Sequence, residues 1–396
     1  MMRIAYVCTD QGIPVFGRKG CSIHVQEVIR AMIAQGAEVH LFTPRGEGNV
    51  PAGLEPVRLH LLPIADQKDA ALREQASFRA NSALRQALAM NGQFDIIYER
   101  YALWSHAGMD FAQAARIPGI LEVNAPLIDE QRLHRVLIDH ANAEWVAHRA
   151  FGNATALIAV SREVAAYLRQ YPQTESRVWV IPNGVNPERF AGAHASSERS
   201  EGTFTVGFVG TLKPWHGVST LIEAFQRLHG QDAATRLLIV GDGPERSKLE
   251  ADVKRRGLSK AVHFQGAVDP AEVPGSLRSM DVATAPYPRL PGFYFSPLKV
   301  FEYMAAGKAV VASRIGQLTD LVEHEKTGLL CNPGDARDLA EALTRLRQEP
   351  TLRDRLGQEA RTRICRDHTW KAAVDKIFDL AEPALPAAIQ PVGACS

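Results

Sequence analysis

Residues 204–228 read FTVGFVGTLKPWHGVSTLIEAFQRL and carry the signal that decides the fold. The first six residues form a short apolar run that is typical of a buried strand. Residues 218–228 carry apolar side chains at helical spacing, and a turn bounded by Gly210 and Gly217 separates the two patterns. A strand, a glycine turn and a helix in this order predict a βα unit of a parallel sheet.

The same alternation of apolar runs and helical periodicity recurs along the whole chain. The patterns predict strands at residues 3–9, 38–43, 94–98, 119–123, 156–160, 204–209, 236–240, 262–264, 281–285 and 308–312. They predict helices at residues 21–35, 162–170, 218–228, 245–256, 336–348 and 370–380. The predicted fold class is therefore α/β, with two Rossmann-like, doubly wound domains that face each other across a deep cleft.

The length and the turn residues predict where these domains divide. A chain of 396 residues exceeds the usual size of a single core. The Pro182-Asn183 turn and the small, polar residues that follow it are typical of a junction. We predict an N-terminal domain at 1–182, a linker at 183–203 and a C-terminal domain at 204–369. A helix at 370–385 is expected to pack back on the N-terminal domain, before a tail at 386–396.

Composition argues against several classes of protein. The 45 basic and 44 acidic residues nearly cancel, so the chain lacks the basic excess of a dedicated nucleic-acid-binding protein. The five cysteines have no CxxC spacing, which argues against a disulfide framework or a zinc site and favours a reducing compartment. The N-terminal residues lack the long apolar region of a signal peptide, so we expect none, and no window approaches ~18 uninterrupted apolar residues. We expect a cytoplasmic protein whose membrane contact is at most peripheral.

Residues 296–303, SPLKVFEY, predict a helix whose N-terminus binds an anion. Ser296 is a suitable N-cap and Pro297 suits the first helical position. The backbone N–H groups of Leu298 and Lys299 would then point outward with the positive end of the helix dipole. Such an N-terminus is suited to a phosphate or pyrophosphate group.

The helical wheel assigns a different task to each face of this helix. One apolar stripe is expected to be buried, formed by Val300, Phe301, Met304 and Ala305. Lys299 and Glu302 lie on the opposite side and offer an ammonium for phosphates and a carboxylate for sugar hydroxyls. A nucleoside diphosphate presents its diphosphate and ribose in that order. The alternative is a core helix, ended at Gly307, with a surface Lys–Glu pair.

Three glycine turns follow predicted strands, at residues 12–20, 209–217 and 240–244. In the second of them, Lys213 and His216 add hydrogen-bond donors. None of the three has the GxGxxG or GxxxxGK[ST] spacing, so the sequence indicates neither a dinucleotide fingerprint nor a P-loop. Each turn has a purely structural explanation, but three of them at carboxyl strand ends favour a ligand site.

These segments resemble glycosyltransferase family 4, the retaining enzymes of the GT-B fold. The resemblance covers nearly the whole chain and rests on motifs that occur in the family's order. The motifs are IPNGV at 181–185, VGTLKPWHG at 209–217, VGDGP at 240–244, FQGAV at 264–268 and FEYMAAG at 301–307. The SPLK segment is similar to that of a subgroup of the family.

The resemblance implies roles for individual residues. Glu302 is expected to bind the donor ribose, and backbone amides at Leu298 and Lys299 the diphosphate. Val268 resembles the position whose backbone meets the base, and Gly20 would bring a first-domain amide near the phosphate or the transferred sugar. The predicted donor-binding set also includes Thr211, Lys213, Gly241 and Ser296.

The sequence departs from the family pattern in the part of the chain that is expected to bind the donor. A second glutamate usually stands eight residues before the ribose-binding one, and here that position is Tyr294. Thr211 and His216 occupy the places of the Arg and Lys that the first glycine turn commonly carries. Lys213 and Lys299 are candidates to supply the missing positive charge.

The predicted catalytic residues are Glu122, Asn124 and His216. In the family a histidine often ends a first-domain strand near the reacting sugar, and here Glu122 and Asn124 both stand near that point. Residues 124–130 either orient a substrate or form only a turn and a helix cap. Residues 98–101 either contact the acceptor or form a buried ion pair.

The resemblance implies retaining transfer of a sugar from a nucleoside diphosphate sugar to an unidentified hydroxyl acceptor. Uridine diphosphate is favoured by family frequency, and no metal or other cofactor is expected. Three alternatives stay open: a GT-B-fold sugar-nucleotide epimerase, a phosphorylase of similar fold, and a non-catalytic nucleotide-sugar-binding subunit.

Overall fold

Two parallel sheets form the framework of the protein in a computed structural model that describes residues 1–64, 67–191 and 202–382. In that part of the chain the strands are β1 (Arg3–Val7), β2 (Glu38–Thr43), β3 (Arg58–Leu61), β4 (Ile96–Arg100), β5 (Gly119–Val123), β6 (Ala156–Ala159), β7 (Val178–Val180), β8 (Phe204–Val209), β9 (Thr235–Val240), β10 (Val262–Gly266), β11 (Val282–Ala285), β12 (Ala309–Ser313) and β13 (Leu329–Cys331).

The same residues contain helices between and after the strands. These helices are α1 (Gly20–Ala34), α2 (Ala70–Met90), α3 (Ala107–Ala115), α4 (Leu127–His134), α5 (His140–Asn153), α6 (Arg162–Leu168), α7 (Val218–Gln231), α8 (Arg246–Arg255), α9 (Val273–Arg278), α10 (Leu298–Ala305), α11 (Leu318–Leu321), α12 (Ala336–Gln348), α13 (Pro350–Asp367) and α14 (Trp370–Ala381).

The first sheet has the strand order β3-β2-β1-β4-β5-β6-β7, and its neighbouring strands are parallel. Its central strands are buried on both faces, because right-handed crossovers place helices on both sides of a parallel sheet. The direction of winding reverses between β1 and β4. Ligands of doubly wound sheets bind outside the carboxyl ends of the strands at such a reversal.

The second sheet has the order β10-β9-β8-β11-β12-β13, again with parallel neighbours. Here the winding reverses between β8 and β11. The chain leaves these two strands at Val209 and Ala285, so the segments that follow these residues border the expected ligand position. Together the two sheets confirm the predicted fold class of two doubly wound α/β domains.

The chain divides into two compact units, and each unit is formed by more than one segment of the sequence. The first unit comprises Met1–Pro182, Tyr294–Ser296 and the segment that begins at Trp370. Helix α14 packs on α1, and the rings of His24 and Trp370 stack with centroids 5.1 Å apart. The second unit comprises Asn183–Phe293 and Pro297–Thr369.

Residues 183–191 belong to the second unit, although they were predicted to begin a linker. The backbone N–H of Val185 donates to the carbonyl of His368 at 3.0 Å, and the side chain of Phe190 is buried in the core. Residues 192–201 of the predicted linker and the predicted tail at 386–396 lie outside the described residues.

Helix α10 starts later than the sequence predicts. Its N-cap is Pro297, in an extended conformation with ψ 102°, so the predicted cap by Ser296 is wrong. Gly307 follows the helix with a φ of +68°, which confirms it as the left-handed C′ residue. The predicted apolar stripe is also confirmed, since all four of its side chains are fully buried: Val300, Phe301, Met304 and Ala305.

We predict that replacing Gly241 with alanine destabilises the second unit by more than about 1 kcal/mol. Gly241 has a φ of +134°, and a Cβ there would lie 2.0 Å from the backbone oxygen of Gly210. Gly230 in α7 is the control, because a Cβ there meets nothing within 4 Å. Urea unfolding of both variants tests the prediction. Equal stabilities would show that the packing of the two turns is not constrained as described.

Candidate functional site

Two glycine turns pack together where β8 and β9 end. The backbone N–H of Gly210 donates to the carbonyl of Val240 at 2.9 Å, and that of Leu212 donates to the carbonyl of Asp242 at 2.9 Å. Gly241 in turn donates to the carbonyl of Gly266 at 2.7 Å. These bonds fix the backbone of the two turns at the edge of the sheet where ligands are expected.

The hydroxyl of Tyr303 ties α10 to the first of these turns. It accepts a hydrogen bond from the Val209 N–H at 2.7 Å and lies 3.1 Å from the Val209 carbonyl oxygen, to which it can donate. Tyr303 is fully buried, so these are bonds inside the core. They hold α10 close to the end of β8. This contact was missed in the sequence, because Tyr303 has the pattern of an ordinary core aromatic residue.

Lys299 places its ammonium inside this arrangement. The Nζ atom lies 4.2 Å from the ring centroid of Phe208 and 5.4 Å from that of Tyr287. It is buried and has no hydrogen-bond partner among the described residues. A Cβ on Gly210 would come within 2.8 Å of it. The ammonium therefore lies directly beneath the glycine turn, held by two aromatic faces.

Burial changes the chemistry of this lysine. Loss of hydration lowers the pKa of Lys299 from 10.5 to about 7. A buried amine without a hydrogen-bonding partner is costly, and such groups concentrate at functional sites. The alternative of a surface Lys–Glu pair is wrong, because the ammonium is not at the surface.

His216 lies in the same turn and is uncharged near neutral pH. Its Nδ1 donates to the carbonyl of Thr211 at 2.5 Å, which leaves the lone pair on Nε2. Burial, followed by the nearby charge of Lys299, lowers the pKa of His216 to about 3. The imidazole therefore braces the turn and cannot replace the positive charge that the family usually has there.

Glu302 lies one turn further along α10 and pairs with Arg189. The Nη1 of Arg189 donates to Oε1 of Glu302 at 3.2 Å. Its Nη2 donates to the carbonyl of Pro270 at 2.7 Å, in the loop after β10 that also carries the half-buried Val268. Arg189 was missed in the sequence, because it lies 113 residues before Glu302 in a stretch that shows only turn chemistry.

In the first unit, a buried polar network surrounds Glu122 at the carboxyl end of β5. Tyr98 donates to its Oε2, and Asn124 and Arg100 donate to its Oε1, the last at 3.1 Å. The Nε2 of His24 lies 3.3 Å from Oε2. Arg100 therefore forms a buried ion pair with Glu122, which is one of the two alternatives given for residues 98–101. Glu122 is thus fully engaged inside the protein.

His24 is held in one tautomer by this network. Its Nδ1 accepts from Nη1 of Arg100 at 2.7 Å, so Nε2 carries the proton and faces Glu122. Burial lowers the pKa of His24 to about 4, so the ring is neutral near pH 7. Trp370 stacks on this ring, so the network is fixed by packing as well as by hydrogen bonds.

Other predicted residues of the first unit lie around this network or beside it. Asn124 is half-buried just past β5, and Gly20 is the exposed first residue of α1. Glu130 lies in the first turn of α4, and its Oε2 accepts from the hydroxyl of Tyr294 at 2.9 Å. The carbonyl of Tyr294 accepts from the Ser161 hydroxyl at 2.9 Å.

Comparison with protein-family models decides the family. The model described as "Glycosyltransferase Family 4" matches residues 18–189, and the model described as "Glycosyl transferases group 1" matches residues 203–349. The two matches include the glycine turns after β8 and β9, α10 and the polar network around Glu122. The chain belongs to glycosyltransferase family 4. None of the helices in the described part of this glycosyltransferase has both the length and the apolar character needed to cross a membrane.

Named relatives and solved structures agree with this assignment. A D-inositol 3-phosphate glycosyltransferase of Corynebacterium jeikeium is 26% identical, over 93% of this chain and 92% of the relative. Sucrose-phosphate synthase from Thermosynechococcus elongatus superposes with a TM-score of 0.75 at 23% identity, over 96% of this chain and 98% of that one. Anabaena HepE, in complex with UDP and glucose, superposes with a TM-score of 0.72 at 19% sequence identity, over 96% of this chain and 99% of that one. These likenesses show the GT-B fold.

The predicted site residues of this family 4 enzyme fall into two groups. The second unit brings together those at the ends of β8, β9 and β10 and on α10: Thr211, Lys213, His216, Gly241, Val268, Leu298, Lys299 and Glu302. The first unit contains Gly20, Glu122, Asn124 and Ser296. Ser296 directly precedes Pro297, the N-cap of α10.

Replacing Lys299 with methionine should stabilise the second unit. The folded protein holds the pKa of Lys299 at about 7, below its ordinary value of 10.5. Between these values the unfolded chain binds more protons than the folded one, so wild-type stability rises with pH across that window. Below pH 7 the full cost of burying the charged amine lowers the free energy of unfolding of the wild type. The increase in that free energy on replacement with methionine should therefore be larger at pH 6 than at pH 9.

Urea unfolding at both pH values measures this effect. Lys248→Met is the control, because that lysine lies on α8 with 76% of its side chain exposed, and it should change stability by less than about 0.5 kcal/mol. A gain at Lys299 that is independent of pH, or a loss of stability at pH 6, would contradict the buried-ammonium description.

Proposed function

We propose that this glycosyltransferase is a retaining hexosyltransferase that uses a UDP-sugar as its donor and works without a metal ion. The observation that carries the proposal is the buried ammonium of Lys299. It lies beneath the Gly210 turn at the N-terminus of α10, with no hydrogen-bond partner among the described residues. A diphosphate at this position would accept hydrogen bonds from the ammonium, from the backbone amides of α10 and from the backbone of the Gly210 turn.

The spacing along α10 matches the order of groups in a nucleoside diphosphate. Glu302 follows Lys299 by three residues, which is about 4.5 Å along the helix axis. A carboxylate there can accept from both hydroxyls of a ribose whose diphosphate lies at the helix N-terminus. The loop with Val268, joined to Glu302 through Arg189, is then adjacent to the base.

The identity of the donor is supported by relatives. HepE was solved with UDP and glucose, and it shares the fold over nearly the whole of both chains. The curated relative of 26% identity is named as a glycosyltransferase, which favours transfer over epimerisation or a non-catalytic role. A UDP-hexose is accordingly the donor that we propose.

In this mechanism the enzyme stabilises a departing anion. The bond between the sugar C1 and the diphosphate oxygen breaks, and the acceptor oxygen bonds to C1 on the same face. The proton of the acceptor hydroxyl passes to an oxygen of the leaving diphosphate. Lys299 and the first-turn amides of α10 stabilise the charge that develops on that diphosphate. A bound diphosphate favours the charged form of Lys299. The ammonium then supplies the positive charge that other residues of the glycine turn usually supply in the family.

The two first-unit candidates differ in what they can do. The carboxylate of Glu122 is occupied by donors from Tyr98, Arg100 and Asn124. We assign it to orienting its neighbours, and we assign contact with substrate to Asn124, which is half-buried at the strand end. His216 acts as a neutral brace of the Gly210 turn. The acceptor hydroxyl belongs to a molecule that we expect the first unit to bind.

A calorimetric titration with UDP, GDP, ADP and dTDP tests the donor assignment, followed by turnover of the matching nucleotide sugars with a panel of hydroxyl acceptors. UDP is expected to bind most tightly and UDP-sugar to be consumed with retention at C1. If no nucleoside diphosphate binds, the proposal is wrong.

Replacing Glu302 with glutamine should raise the Kd for UDP about tenfold, because the ribose loses a charged acceptor. The unfolding transition should change little, since the amide has the same shape. Glu325→Gln is the matched control, because Glu325 also pairs with an arginine, Arg345, in the second unit. Unchanged UDP affinity in the Glu302 variant would refute the ribose assignment.

A further inference from the structure

Arg189 joins two parts of the second unit that are distant in sequence. One of its nitrogens donates to the carboxylate of Glu302 on α10, and the other donates to the carbonyl of Pro270 after β10. We propose that Arg189 is a positioning residue for the nucleoside, which holds the ribose-binding carboxylate at a fixed distance from the base-side loop. This inference rests on the proposed function.

The backbone of Arg189 is anchored independently of these two bonds. It lies in a 3-10 helix at Pro187–Phe190, whose N-cap Asn186 accepts from the Glu188 N–H at 3.1 Å. The neighbouring Phe190 is only 1% exposed, so the segment is pinned in the core of the second unit. The guanidinium therefore starts from a fixed point, and its side chain is only 21% exposed.

The planar guanidinium suits this bridging role, because its nitrogens donate in different directions from one rigid group. A lysine has one nitrogen, which would have to satisfy both a carboxylate and a carbonyl that arginine reaches with two. The guanidinium has no acceptor, so it cannot replace the carboxylate that is expected to accept from the ribose hydroxyls. Its two bonds go to Glu302 and to the carbonyl of Pro270, so its proposed effect passes through Glu302 and through the loop that carries Val268.

This mechanism separates the two ends of the donor. Arg189 touches the carboxylate expected at the ribose and the loop expected at the base. The diphosphate is expected at Lys299 and the helix amides. Loss of Arg189 should therefore weaken the binding of a nucleotide far more than that of inorganic pyrophosphate, which carries only the phosphate groups.

Arg347 provides a closely matched control within the same unit. It also donates to a carboxylate, Asp232, at 2.9 Å, and to a backbone carbonyl, that of Gly202, at 3.0 Å. Its Cζ lies 5.8 Å from the ring centroid of Phe204, as that of Arg189 lies 5.5 Å from Phe190. Arg347 does not bridge to α10. Arg347→Ala therefore removes the same kinds of contact, one to a carboxylate and one to a backbone carbonyl, without altering the pair between Arg189 and Glu302.

The test is a titration of the full-length protein with UDP and with inorganic pyrophosphate, for wild type, Arg189→Ala, Arg189→Lys and Arg347→Ala. We expect Arg189→Ala to raise the Kd for UDP about tenfold and the Kd for pyrophosphate less than about twofold. Arg189→Lys should recover little of the loss, and Arg347→Ala should match wild type for both ligands.

Several results would overturn the proposal. Unchanged or tighter UDP binding in Arg189→Ala would show that the arginine is idle or competes with the ribose. An equal loss for UDP and pyrophosphate would indicate general loosening of the unit. Full recovery by lysine would indicate a simple charge effect. If wild type itself binds no nucleoside diphosphate, the proposed function fails first and this inference falls with it.

Discussion

Burial of the Lys299 ammonium between Phe208 and Tyr287 is the constraint on which the arrangement of α10 and the adjacent glycine turns depends. A charged amine removed from water without a hydrogen-bond acceptor costs free energy, and the fold tolerates this cost at the N-terminus of α10. The same position has the positive end of the helix dipole, so two unfavourable like charges are held together. An anion there would relieve both. A diphosphate is the anion that we propose for this position.

The surrounding contacts serve to keep that arrangement fixed. Tyr303 ties α10 to the end of β8, and the left-handed glycines allow the turns after β8 and β9 to lie against each other. Arg189 extends the same rigidity from Glu302 to the loop after β10. The first unit follows a related rule, since Tyr98, Arg100 and Asn124 donate to the carboxylate of Glu122 and the Nε2 of His24 lies beside it. Each unit thus builds a rigid polar edge where its strands end.

Local patterns allowed much of this to be predicted. The strand–turn–helix at residues 204–228 and the apolar stripe of α10 follow from periodicity within one segment, and both are present. The edge strand β3 was missed because its residues are mostly exposed, and α13 because it begins with Pro350 and is rich in charge. The position of Lys299 was also misjudged. A helical wheel gives the direction of a side chain but not the rings that other strands bring against it. The Arg189–Glu302 pair joins residues 113 positions apart, and no local signal encodes it.

A crystal structure of the protein with UDP would reveal whether the diphosphate binds beside Lys299. We expect density for the diphosphate at the N-terminus of α10, with its oxygens within hydrogen-bonding distance of the amides of Leu298 and Lys299 and of the Lys299 ammonium. The ribose hydroxyls should meet Glu302. A diphosphate bound elsewhere, or a Lys299 ammonium still enclosed by its two rings without a phosphate contact, would contradict the proposal.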